Sequence, residues 1–183
     1  MGMGALVKVE PQVAAVDHPQ HLTFLLGGEM FAIGILSVKE IMEYGHLTVV
    51  PMMPECIRGV INLRGAVVPV VDLARRFSSR STEITRRSCI VIIEAESGGE
   101  GERQDVGVIV DAVSEVLEIR QDQIEPPPAF GAKIRTDFIQ GMGKVGNKFV
   151  IILNVDRVLS LDDLARVAQA TGHELLALQG APA

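Results

Sequence analysis

Asp72 is the side chain whose type and surroundings best suit general acid or base chemistry, because it closes the apolar run Ala66 to Val71, where a carboxylate would leave water. The sequence offers its own comparison. The later run Phe149-Val-Ile-Ile-Leu153 ends in Asn154 at the matching place, and an asparagine cannot ionise. Asp and Asn share the ability to accept from the first N–H groups of a following helical turn. Both are therefore read as caps, of turns over Leu73 to Phe77 and Val155 to Leu159, and Asp72→Asn is expected to change little.

Other groups with chemical potential fare no better. Gly141-Met-Gly143-Lys-Val-Gly146 has the letters of a dinucleotide loop, but a helix should open at its end, and a strand-like run follows instead. Those glycines serve a hairpin. Cys56 and Cys89 read as small buried thiols in a reducing compartment. His18, His21, His46 and His173 are scattered, without ligand spacing. No nucleophile is set beside a base, so the expectation is a protein with no catalytic residues, no cofactor and no metal.

Composition narrows the partners. A formal charge of -6, basic residues clustered only in pairs such as Arg75-Arg76 and Arg86-Arg87, and 4% aromatics disfavour a nucleic-acid partner. No apolar stretch approaches the roughly 20 residues of a membrane-spanning helix. The first twenty residues contain no secretory apolar run, so a cytoplasmic location is expected.

What remains is Arg64. It sits with Gly65 between Val60-Ile-Asn-Leu63 and Ala66 to Val71, where a hairpin must reverse. Glu40 and Glu43 lie beside Val38 and Ile41 on an earlier strand-like segment.

The elements that position these residues come in two copies. Phe31 to Tyr44 lies over Val106 to Ile119 at an offset of 75, pairing Val38 with Val113 and Glu40 with Glu115. Ile57 to Phe77 lies over Ile139 to Leu159 at an offset of 82, pairing Gly59 with Gly141 and Arg64 with Gly146. The second copy gains its extra residues between Ala129 and Asp137. Agreement of the apolar pattern with few identities is what duplication of a small β unit leaves. Two halves, 20–85 and 86–159, are expected, each opening with a hairpin: Leu22 to Leu26 with Met30 to Ile35, and Cys89 to Ile93 with Val106 to Val110. In the second hairpin Ser97 to Gln104 is read as a long polar loop. A C-terminal helix is expected over 160–178, capped by Ser160, with a loose segment over 1–19 and a tail over 179–183.

At these residues the chain resembles CheW, the coupling-protein family of bacterial chemotaxis, over residues 20–165. The most specific parts are Phe31 to Tyr44, Ile57 to Leu73 and Phe138 to Leu159. The resemblance implies a mainly β fold of two similar five-stranded SH3-like barrels packed side by side. It implies an adaptor, a monomer when free, that bridges the cytoplasmic tips of chemoreceptors and the regulatory domain of the histidine kinase CheA in membrane-associated arrays. Receptor-facing residues would be Val38, Glu40, Ile41 and Arg64, with Gly59 and Gly65 shaping turns. Kinase-facing residues would be Leu47, Thr48 and Val50. The alternative is a CheW-like scaffold of another receptor–kinase pathway, such as surface motility.

Overall fold

The computed structural model of the chain describes residues 19–78, 80–97, 101–128 and 135–160. The expected helix over 160–178 and most of the Ala129 to Asp137 insertion lie outside them. The chain is mainly β. Its strands are β1 (Gln20–Leu26), β2 (Glu29–Gly34), β3 (Val38–Glu43), β4 (Ile57–Leu63) and β5 (Ala66–Asp72), followed by the helical turn α1 (Leu73–Phe77). Then come β6 (Cys89–Ser97), β7 (Glu102–Val110), β8 (Ala112–Glu118), the two-residue β9 (Ile124–Glu125), β10 (Ile139–Val145), β11 (Lys148–Leu153) and the turn α2 (Val155–Val158).

Two open sheets form, in the orders β3-β6-β7-β5-β4 and β8-β1-β2-β11-β10-β9. They are copies of one another: β3, β6, β7, β5 and β4 occupy the places of β8, β1, β2, β11 and β10. Strand partners nevertheless cross the sequence midpoint. The β1–β2 hairpin lies between β8 and β11, and the β6–β7 hairpin lies between β3 and β5. Four pairings make the exchange, the antiparallel β1 with β8 and β3 with β6 and the parallel β11 with β2 and β5 with β7. Each sheet is thus assembled from both halves, and the division at 85/86 marks the repeat rather than the sheets.

Alternation along each strand explains this arrangement, since successive side chains point to opposite faces. In β6, Val91, Ile93 and Ala95 enter a core shared by the two sheets, with Leu22, Phe24 and Phe31 opposite. Ile90 and Ile92 point the other way, into a cluster with Val68, Val70 and Ile109. The copy repeats the pattern: Phe31 and Ile33 face the shared core, and Ala32 faces Ile119, Val150 and Ile152. Strands buried on both faces read as unbroken apolar runs, as Cys89 to Ile93 does. A row of rings, Phe24, Phe31, Phe77 and Phe138, with centroids 5.9, 5.7 and 6.1 Å apart, ties the β1–β2 hairpin to α1 and to the start of β10.

The long loop expected over Ser97 to Gln104 is shorter than its polarity suggests. Glu94 to Ser97 pair with Asp105 to Glu102, so the ladder carries polar residues past the edge of the core.

Candidate functional site: a charged hairpin tip and a pinned apolar loop

The β4–β5 hairpin closes with Leu63 opposite Ala66, leaving Arg64 and Gly65 as a two-residue turn. Both have positive φ, 54° and 88°, the turn that matches strand twist. Asn62 supports it, its Oδ1 accepting from the Gly65 N–H at 2.8 Å. In the second half Val145 faces Lys148 across Gly146, at φ 63°. Position 64 is therefore left-handed in both copies, and a glycine suits it. An arginine there costs about 1 kcal/mol from Cβ crowding.

The guanidinium of Arg64 reaches across to β3, where Nη2 donates to Glu40 Oε1 at 2.7 Å. β3 is an edge strand, and a bulge between Val38 and Glu40 bends it. Lys39, within the bulge, donates to Asp105 Oδ1 at 3.1 Å, with Glu94 at 3.7 Å. The Asp105 hydrogen bond is the main reason its ammonium titrates above the usual lysine range. Glu43 ends the strand and stands exposed.

The apolar residues expected beside this pair separate. Ile41 is exposed, whereas Val38 packs against the shared core. Two residues that sequence reasoning missed join Ile41 as exposed hydrophobics: Leu36, 97% exposed just before β3, and Val67, opposite Asn62. Val67 is hidden in the sequence by the unbroken run Ala66 to Val71, which does not show which face looks outward. Leu36 had no signal, because a single 3-10 turn over Ile35–Ser37 turns it away from the alternation.

Gly59 shapes no turn. It lies inside β4 at a bulge, and a Cβ there would stand 2.6 Å from the Thr48 carbonyl oxygen. That close approach lets Thr48 exchange two backbone hydrogen bonds with Val60, at 2.9 and 2.8 Å. Gly141 repeats the device, admitting Ile124 and β9.

The Thr48 bridge starts a loop that Pro54 closes, its carbonyl accepting from the Ile57 N–H at 2.9 Å. Of the residues expected to face a kinase, Leu47 packs against the cluster under Val68 and Ile90, Val50 is half-buried, and Thr48 is exposed with its backbone occupied. The apolar side chains presented outward are Val49 and Met52, 76% and 49% exposed. Met52 has φ 64°. Among the described residues, Arg64 and Met52 are the two non-glycines with positive φ. Such strain concentrates where function requires a geometry.

Asp72 is wholly buried, and it does cap α1, accepting from Ala74 N and Arg75 N. It does more than Asn154, whose side chain, among the described residues, accepts from Arg157 N alone. Asp72 also takes Arg58 Nη1 at 2.9 Å, the Thr82 N–H at 2.9 Å and Thr82 Oγ1 at 2.6 Å. Five donors saturate its lone pairs, so it holds β4, α1 and the segment after α1 together, and none of its oxygens is left to accept a substrate proton. Cys56 and Cys89 are free thiols, and burial pushes the Cys56 thiol up. Among the described residues no three of His, Cys, Asp and Glu are grouped to hold a metal. No helix among them is long and apolar enough to cross a membrane.

Residues 20–163 match the CheW-like domain. The chain belongs to the CheW-like family. It is 32% identical over 165 residues to the chemotaxis protein CheW of Klebsiella aerogenes, covering 90% of this chain and 96% of that one. The protein FrzA of Myxococcus xanthus is 29% identical over 150 residues, 80% of this chain and 90% of that one. The scaffolding protein TtCheW from Thermoanaerobacter tengcongensis superposes with a TM-score of 0.69 at 36% identity, covering 77% of this chain and 87% of that chain.

Proposed function

We propose that this CheW-like chain is a non-enzymatic chemotaxis adaptor coupling the cytoplasmic tips of chemoreceptors to the histidine kinase CheA, in the cytoplasm beneath the membrane. One observation carries the reading: an arginine sits in a left-handed turn position that the second half fills with glycine, and it is paired there with Glu40. The turn itself needs no charge at that point, as Gly146 shows in the second half.

The receptor-facing surface is assigned to Glu40, Arg64 and Ile41, with Leu36 and Val67 extending its apolar part. Val38 sets the strand from beneath, Gly65 completes the turn and Gly59 admits the neighbouring loop. A receptor tip is a helical hairpin, and exposed apolar side chains on or next to the strands that carry a charge pair suit one amphipathic helix face. The kinase-facing surface is assigned to the loop of Thr48 to Met52, where Leu47 anchors the base and Val49 and Met52 supply contact. A pinned loop loses little entropy on docking, which favours affinity. Both surfaces lie in the first half, within a working unit of residues 20–165. Signals pass when bound receptor favours one arrangement of the complex over another.

Co-sedimentation of the chain with receptor cytoplasmic fragments and CheA tests this reading, and exclusion from that complex would overturn it. The similarity to FrzA supports a second reading, a scaffold in another receptor–kinase pathway, which would enter the complex only with that pathway's own proteins.

A further inference from the structure

The segment between α1 and β6 carries Arg80, Arg86 and Arg87, all exposed in a chain of net charge -6. Arg58, Arg64, Arg103 and Arg120 each face a carboxylate. Among the described residues Arg86 and Arg87 form no ion pair. Their backbone is nonetheless fixed: the Thr85 N–H donates to Ser88 Oγ at 2.8 Å, the Ser88 N–H to the Thr85 carbonyl at 3.1 Å, and the Arg87 N–H to Thr85 Oγ1 at 3.1 Å. Ser88 is buried, so the corner is anchored while its two guanidinium groups face solvent.

This corner forms one wall of an open cleft of about 700 Å³. Leu25 and Ala112 give the cleft apolar surface, and Gly28 and Asp111 also line it. That side is fixed too, because Asp111 Oδ2 accepts from the Gly27 N–H at 2.8 Å and the Asp111 N–H donates to the Leu25 carbonyl at 3.0 Å. The cleft shares no residue with the two surfaces described above.

We infer that this cleft docks an acidic segment of a partner protein, through carboxylates on Arg86 and Arg87 and an apolar side chain against Leu25. A free phosphate ion fits poorly, since the cleft is open and offers no enclosed point for a small anion, and an apolar surface such as Leu25 gives it nothing. An anionic bilayer fits poorly as well, because two arginines offer about 1 kcal/mol each near a surface that repels the rest of the chain. A peptide supplies spaced carboxylates with apolar side chains between them, which matches two guanidinium groups beside an apolar surface.

The test is fluorescence anisotropy of a labelled twelve-residue peptide alternating Glu and Leu, titrated with the full chain at low and high salt. Binding is expected at low salt and should weaken as salt rises. The Arg86→Ser, Arg87→Ser double variant should lose it with an unchanged melting temperature. Asp111→Asn should strengthen it about threefold, the size of one removed surface repulsion, and misfolding cannot mimic a gain. Equal binding by the double variant would overturn the inference. So would displacement of the peptide by millimolar inorganic phosphate, or stronger retention on phosphatidylserine vesicles than on the peptide.

Discussion

Arg64 at the β4–β5 tip holds Glu40 on edge strand β3 at 2.7 Å, joining two strands at opposite ends of one five-stranded sheet. The pair spans the open side of the curl. In the proposed receptor contact the arginine either touches the receptor or aims Glu40 toward it, and the two roles respond differently to substitution.

Arg64→Gly should leave the fold at least as stable as the parent. Relief of left-handed crowding, about 1 kcal/mol, offsets loss of an exposed ion pair of about 0.5 kcal/mol. Receptor binding should nevertheless fall at least tenfold. Unchanged affinity for a receptor cytoplasmic fragment would remove Arg64 from the binding surface. The exchanged pair Arg64→Glu with Glu40→Arg separates the roles: recovery of binding means that the pair positions the strand, and continued loss means that Arg64 makes the contact.

Asp72→Asn should cost about 2–4 kcal/mol, because the amide turns a donor toward groups that already donate and leaves Arg58 without its counter-charge. At 2–4 °C per kcal/mol for a chain of this size, the melting temperature should drop by about 4–16 °C. Asn154→Asp, with one donor to satisfy, should stay within about 0.5 kcal/mol of the parent. Thermal melts of the two variants check the contrast. An unchanged melting temperature for Asp72→Asn would contradict the structural load placed on Asp72.

How much of this was readable in advance depends on the range of the signal. The hairpins, the caps at Asp72 and Asn154, the duplication and the arginine turn all rest on patterns within a few residues or on comparison between the copies. The load on Asp72 was not readable, since Arg58 and Thr82 reach it only once β4 and the segment after α1 pack together. The packing of Leu47 over Val68 was hidden as well, since it depends on the loop before β4 folding back onto the sheet. The exchange of hairpins was equally hidden, because a repeat fixes which strands resemble one another without fixing which of them pair.

That exchange bears on folding. Residues 20–85 alone would hold β3, β5 and β4 without the β6–β7 hairpin that lies between them, and 86–159 would lack β1 and β2 in the same way. Each fragment should be unfolded by circular dichroism, and mixing them should restore β structure. A folded isolated half would contradict the strand order described here.

Met52→Gly should raise stability by up to about 1 kcal/mol, since φ 64° suits glycine, while weakening binding to the CheA regulatory domain. Leu47→Ala should do the opposite kind of damage, costing about 2 kcal/mol through the cluster beneath it. Calorimetric titration beside thermal melts would show both effects. If Met52→Gly binds CheA as well as the parent does, the loop is strained for another reason.

His21 should contribute to the pH dependence of stability below neutrality. It is 5% exposed in β1, its Nδ1 has no hydrogen-bond partner among the described residues, and burial holds its titration below the ordinary range, partly opposed by a hydrogen bond to the Pro19 backbone. The unfolded chain therefore binds a proton at His21 more readily than the folded one does. Stability from this residue is complete above the unfolded value of 6.5 and is lost as pH falls below it, toward the lower folded value. Denaturant midpoints should decline from pH 7.5 to pH 5.5 in the parent chain. His21→Leu should flatten that slope, and an identical slope in the variant would assign the pH dependence to other groups.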